Sequence, residues 1–181
     1  MYDILVYLPK RPEAVLKKYY GDFMTLKYAS DELRGDKEVV LIAVKQNSYA
    51  LQFASKELQA DKEVVLEAVK NKGSALEYAS EELRADPEVV MEAIISEEPE
   101  SNAAEYIHES LLKDKTFMLK ALDTLVDYDL ICTRSPHILI ANASESLWKD
   151  KEFVIQALDN SLYAFYLKSL KAKLQILALQ M

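Results

Sequence analysis

One sixteen-residue phrase is written three times in succession. Residues 28–43 read YASDELRGDKEVVLIA, residues 53–68 FASKELQADKEVVLEA and residues 78–93 YASEELRADPEVVMEA. Leu26, Leu51 and Leu76 stand 25 residues apart, and so do Asp36, Asp61 and Asp86. A period of this length points to a stacked array, because each short unit can bury its apolar face only against its neighbours. Two looser copies follow. EYIHESLLKDKTFMLKAL puts Asp114 at the aspartate position and NASESLWKDKEFVIQAL puts Asp150 there, the spacing stretching to 28 and then 36 residues. A half-copy, RPEAVLKKYY, precedes them: Glu13 lies 13 residues before Leu26, as Glu38 lies 13 before Leu51.

Each unit reads as two short helices. The second begins at an aspartate, whose carboxylate can accept the unpaired amides of a first helical turn. Lys37 follows at the first helical position. In the third copy Pro87 stands there, where a missing N–H costs nothing, and Glu38 and its equivalents favour the positive end of the helix dipole. Val39, Val40, Ala43 and Val44 then form one apolar stripe, with Leu41 on another side. In the first helix Leu26, Ala29 and Leu33 share a face and Tyr28 points roughly opposite. A ten-residue helix is only about 15 Å long and marginal alone, so stacking must supply its stability.

The expected architecture is therefore all-α, an α-solenoid of about five tandem short helical hairpins within residues 1–160. A partial repeat falls at 12–20 and repeats at about 26–50, 51–75, 76–104, 105–122 and 138–158. Handedness is taken as right-handed by analogy with other helix-pair arrays. The period is interrupted by SEEPES (96–101), where Pro99 ends a helix, and by DTLVDYDLICTRSPH (123–137). There Ser135-Pro136 reads as an N-cap and first position. Residues 161–181 carry Tyr163, Leu167, Leu170, Leu174, Leu177 and Met181 in a 4-3-4-3-4 rhythm, an apolar helix expected to cap the array. Homo-oligomerisation, or a membrane-surface contact helped by Lys168, Lys171 and Lys173, is the other use of such a seam.

The repeat phrase, Y-A-S-x-E-L-x-x-D-x-E-V-V, resembles an uncharacterised domain-of-unknown-function repeat family of bacterial and protist proteins. Residues 12–158 carry the likeness, close in the three middle copies and loose in the last two, where His108 replaces the serine and Phe117 and Phe153 replace the first valine. The resemblance implies tandem helical hairpins and supplies no catalytic residue.

Composition narrows the function classes. A single cysteine, Cys132, cannot form an internal disulfide and suits a reducing compartment. The start, MYDILVYLPK, lacks the basic stretch of a secretory signal, and no run of about 18 apolar residues occurs; a cytoplasmic protein is expected. The three glycines are isolated, so no phosphate-binding loop is present. Cys132, His108 and His137 are too few for a zinc site, and a Cys132–His137 pair lacks an orienting group. His108 reads as a plain helix residue, since the other copies hold Ser30, Ser55, Ser80 and Ser144 there. Those serines read as mid-helix residues bonding back to a carbonyl, and Glu32, Glu57, Glu82 and Glu145 as solvated. No catalytic residue, cofactor or metal is expected.

Charge is the feature that remains. Between Lys72 and Lys113 eleven acids face one base, Arg84, giving −10 where the whole chain carries −8. Such a concentration repels nucleic acid and favours a basic partner. The chain is thus expected to be a non-enzymatic interaction scaffold for a protein or peptide. Glu77, Glu81, Glu82, Glu88, Glu92, Glu97 and Glu98 are the candidate partner-binding residues. The alternative is an inhibitor or immunity-type protein that mimics nucleic acid and fills a basic groove.

Overall fold

In the computed structural model the described residues are 23–96, 102–127 and 135–159. Every regular element among them is helical, and no strand occurs. The partial repeat at 12–20 and the helix expected at 161–181 lie outside the described residues.

A unit has three pieces rather than two. In the second unit a 3₁₀ segment, Ser48–Phe53, leads to one turn of α-helix, Lys56–Gln59, and then to a long helix, Lys62–Asn71. The first unit repeats this as Phe23–Tyr28, Asp31–Arg34 and Lys37–Gln46. The third does so as Gly73–Tyr78, Glu81–Arg84 and Pro87–Ile95, and the fourth as Ala103–Tyr106, Glu109–Lys113 and Lys115–Asp127. In the fifth an α-helix, Ser135–Asn142, takes the 3₁₀ position ahead of Glu145–Trp148 and Lys151–Asp159. Ser135 is already helical, so the helix starts one residue earlier than the Ser-Pro pair implies.

The first expected helix is broken at the Ala-Ser pair. Ala54 and Ser55 are extended, with ψ of 158° and 159°, and Ser55 caps the short helix by accepting the Leu58 amide at 3.4 Å. Ser30 and Ser80 do the same for Leu33 and Leu83. The recurring serine is therefore an N-cap and does not bond back within a helix. The reason lies across the unit boundary. The Ser55 N–H donates to the Arg34 carbonyl at 2.9 Å and the Ser80 N–H to that of Gln59 at 2.9 Å; His108 and Ser144 reach Arg84 and Leu112 at 3.0 Å. A continuous helix would have claimed these amides for itself.

The aspartates behave as their position predicts. Asp61 Oδ1 accepts the amides of Glu63 and Val64 at 3.0 and 3.2 Å; Asp36, Asp86 and Asp150 make equivalent pairs of bonds, and Asp114 accepts the Phe117 amide. Their outer oxygens build a second ladder. Lys37 Nζ lies 2.7 Å from Asp61 and 2.9 Å from Glu63 of the next unit, and Lys62 lies 2.8 Å from both Asp86 and Glu88. Lys115 repeats the arrangement toward Asp150 and Glu152. Pro87 offers no amine, so the ladder skips from unit 3 to unit 4, where Thr116 also replaces the glutamate.

Packing follows chain order. Each long helix lies against the next long helix and each 3₁₀ segment against the next, the fifth unit's first helix included. The core is one cluster running from Leu26 to Ala157, with Val40, Val44, Leu51, Val64, Leu76, Val90, Leu125 and Phe153 inaccessible. Burying one such side chain fully stabilises by about 1.5–3 kcal/mol. Gly73 marks the tightest approach, since a Cβ there would come within 2.0 Å of the Ala93 carbonyl oxygen. The result is an all-α helical repeat.

Candidate functional site

The 3₁₀ segments end on aromatic residues, Tyr28, Phe53, Tyr78 and Tyr106, at one repeat position. Their apolar neighbours face the core, whereas Tyr28 is 58% exposed and the other three are half-buried. Stacking therefore sets rings of consecutive units along one side of the array. Tyr49 meets Tyr78 edge-on, with ring centroids 6.2 Å apart at 86°. The Tyr49 hydroxyl lies 3.0 Å from Ser74 Oγ, and Lys72 Nζ sits 5.2 Å above the Tyr49 ring. Lys27 Nζ likewise sits 5.7 Å from the centre of the Tyr28 ring, so two cations already lie on aromatic faces along this side.

Glu77 sits at the centre of this row. Burial raises the phenols of Tyr78 and Tyr106 above the usual tyrosine value, and the charge of Glu77 and hydrogen bonding to its carboxylate raise them further. The charge of one carboxylate thus reaches tyrosines of two units. Beside it a cleft of about 350 Å³ opens between units 2 and 3, lined by Gln52, Lys56, Gln59, Glu77, Tyr78 and Glu81, among others. Its floor is rigid. Gln59 is buried and donates to the carbonyls of Leu51 and Gln52 at 3.1 and 3.2 Å, and Lys56 donates to Gln59 Oε1 at 2.9 Å.

The seven candidate acids fall into different settings. Glu77 and Glu81 are exposed and share the cleft. Glu82 is exposed beside them. Its own backbone amide and the Ser80 hydroxyl hold its carboxyl below the usual value. Glu88 is paired with Lys62 in the inter-unit ladder, and Glu92 is half-buried on the long helix. Glu97 and Glu98 lie outside the described residues. His108 is not the plain helix residue its context suggests: it caps Glu109–Lys113. Its Nδ1 accepts the Ser110 amide at 3.2 Å, and Nε2 lies 3.4 Å from Glu81 Oε1.

The tyrosines around Glu77 are what the charge pattern alone overlooked. The signal was present as the recurrence of an aromatic at 28, 53, 78 and 106. The Cys132–His137 pair lies outside the described residues. Among the described residues no three His, Cys, Asp or Glu side chains converge as a metal site requires, and no helix is long and apolar enough to cross a membrane. No curated protein and no solved structure matches the chain. Two adjacent segments in the part where the 25-residue period is unbroken, residues 13–59 and 61–97, match the model of the family described as Domain of unknown function (DUF4116), an uncharacterised repeat-type domain of the kind the motif resemblance implied.

Proposed function

We propose that this protein is a non-enzymatic interaction scaffold that holds a protein or peptide segment along its row of 3₁₀ segments and takes basic side chains in the cleft at Glu77 and Glu81. The observation that supports this most is the cleft itself. Two exposed carboxylates and a half-buried tyrosine converge on a space of about 350 Å³, large enough for a lysine or arginine side chain. The carboxylates would draw in the cation and the ring would cover its aliphatic stem. Nothing in this mechanism makes or breaks a covalent bond. Attraction brings the partner in, and the aromatic row supplies buried area once it arrives.

The nucleic-acid-mimic reading is less well supported by the same geometry. It calls for a line of free carboxylates spaced like phosphates. Glu88 is instead paired with Lys62 at 2.8 Å and Glu109 with Lys113 at 3.0 Å, which removes two charges from such a line.

Calorimetric titration of an arginine- and lysine-rich peptide into the full chain tests the proposal. Wild type is expected to bind with an affinity that falls as salt rises. A Glu77→Lys/Glu81→Lys variant is expected to lose that binding while keeping its helical circular dichroism. Equal binding by both proteins would overturn the assignment.

A further inference from the structure

The cleft between units 2 and 3 is made of repeat positions, so its counterparts follow from the period. One unit earlier the same positions are Lys27, Asp31 and Arg34 of unit 1, facing Gln52 and Lys56 of unit 2. One unit later they are Glu77, Glu81 and Arg84 of unit 3, facing Glu105, His108 and Glu109 of unit 4. Backbone bonds verify that these sets meet: Ser55 N–H reaches the Arg34 carbonyl and His108 N–H the Arg84 carbonyl, as Ser80 reaches Gln59 in the middle cleft. The charged side chains named are all exposed or half-exposed.

The charge of this row changes sign along the chain. At the junction of units 1 and 2, Lys27, Arg34 and Lys56 face one acid, Asp31, already paired with Arg34. In the middle cleft Lys56 faces Glu77 and Glu81. At the junction of units 3 and 4, Glu77, Glu81, Glu105 and Glu109 stand with Arg84 and His108, whose imidazole lies 3.4 Å from Glu81, and Lys113 pairs Glu109, so acids still outnumber bases there. A partner of uniform charge would meet attraction at one end and repulsion at the other.

Resting on the scaffold reading above, we infer that the row binds an extended peptide segment of bipolar charge, with acidic residues over units 1 and 2 and basic residues over units 3 and 4. Stacked helices lie about 8–10 Å apart and an extended chain rises about 3.3 Å per residue. Successive clefts therefore meet peptide residues about three apart, and the acidic and basic anchors are separated by about six. The sign change fixes the direction in which the segment lies as well as its position, since the reversed placement puts like charges together at both ends.

The test uses fluorescence anisotropy on the full chain with three synthetic peptides about nine residues long. One carries aspartates at one end and lysines at the other. The second has the same composition with the charges alternating, and the third carries lysines alone. The segregated peptide is expected to bind about fivefold or more tighter than its alternating isomer at low salt, the scale of a few exposed charge pairs. A Lys27→Glu/Arg34→Glu variant is expected to remove that preference while binding the all-lysine peptide at least as well as wild type. Equal affinity for the two isomers, or a preference unmoved by that variant, would overturn the bipolar assignment and leave the acidic cleft standing. Failure of the all-lysine peptide to bind, or indifference of its binding to Glu77→Lys/Glu81→Lys, would overturn the scaffold reading beneath it.

Discussion

Asp86 performs two tasks with its two oxygens, and substitution separates them. Oδ1 accepts the amides of Glu88 and Val89 at 2.9 and 3.2 Å, which closes the start of the long helix of unit 3. Oδ2 meets Lys62 of unit 2 at 2.8 Å. Asparagine caps as well as aspartate, so Asp86→Asn keeps the first task and drops the second, whereas Asp86→Ala drops both. Loss of a cap costs about 1 kcal/mol, with a range of about 0.5–2. The ion pair adds less, because water reaches both partners (41% and 25% exposed side chains) and screens them. Asp86→Ala is therefore expected to lower the melting temperature by about 2–4 °C per kcal/mol lost in a chain of this size. Asp86→Asn should produce less than half that loss. Hydrogen exchange at the Glu88 and Val89 amides should quicken in the alanine variant and change little in the asparagine one.

Acid gives an independent reading of the same site. Burial works against the charged carboxyl of Asp86, but the Lys62 ammonium and the amides of Val89 and Glu88 outweigh it and hold the group below its usual value. The stabilisation is then complete above the unfolded carboxyl range, about pH 4, and is lost as pH falls through the folded value. Asp86→Asn should flatten that part of the stability curve. If the asparagine variant lost as much stability at pH 7 as the alanine one, charge would dominate, and capping would not be the larger of the two tasks.

Further outcomes follow from the packing and the aromatic row. Gly73→Ala should destabilise by about 1–3 kcal/mol or more in urea titrations, because its new methyl would collide with the backbone at Ala93, which cannot rotate away. Leu76→Ala, at a position with no exposure, should cost about 2–5 kcal/mol, and a loss below 1 would mean the interface between units is not close-packed. In ultraviolet titrations Tyr78 and Tyr106 should ionise above the ordinary tyrosine range, and Glu77→Gln should bring both part of the way down, burial supplying the rest.

Much of this molecule was legible in residue types at fixed spacing. A 25-residue period, a capping aspartate at Asp36, Asp61 and Asp86, and Val-Val stripes are local chemistry repeated, and they predict stacked helices without knowledge of any neighbour. Leu51 and Leu76 announce their burial in the same way. The position of the acids was equally plain, but which of them stay free was not. Glu88 looks like Glu81 in the chain, and only the arrival of Lys62 from the preceding unit neutralises it. Glu77 stood out by charge alone as a candidate for binding; only stacking put Tyr106 of the next unit, 29 residues away, within reach of its charge beside Tyr78.

The break at Ala54-Ser55 was decided by the tertiary structure, with a local serine cap in support. Its residues suit a helix, and the Leu51–Ala54–Leu58 spacing asks for one. The chain is extended there because the Ser55 amide is hydrogen-bonded to unit 1 and its hydroxyl to the next turn. Local propensity decides which backbone conformations cost little. A hydrogen bond supplied by a different unit decides which of them is occupied.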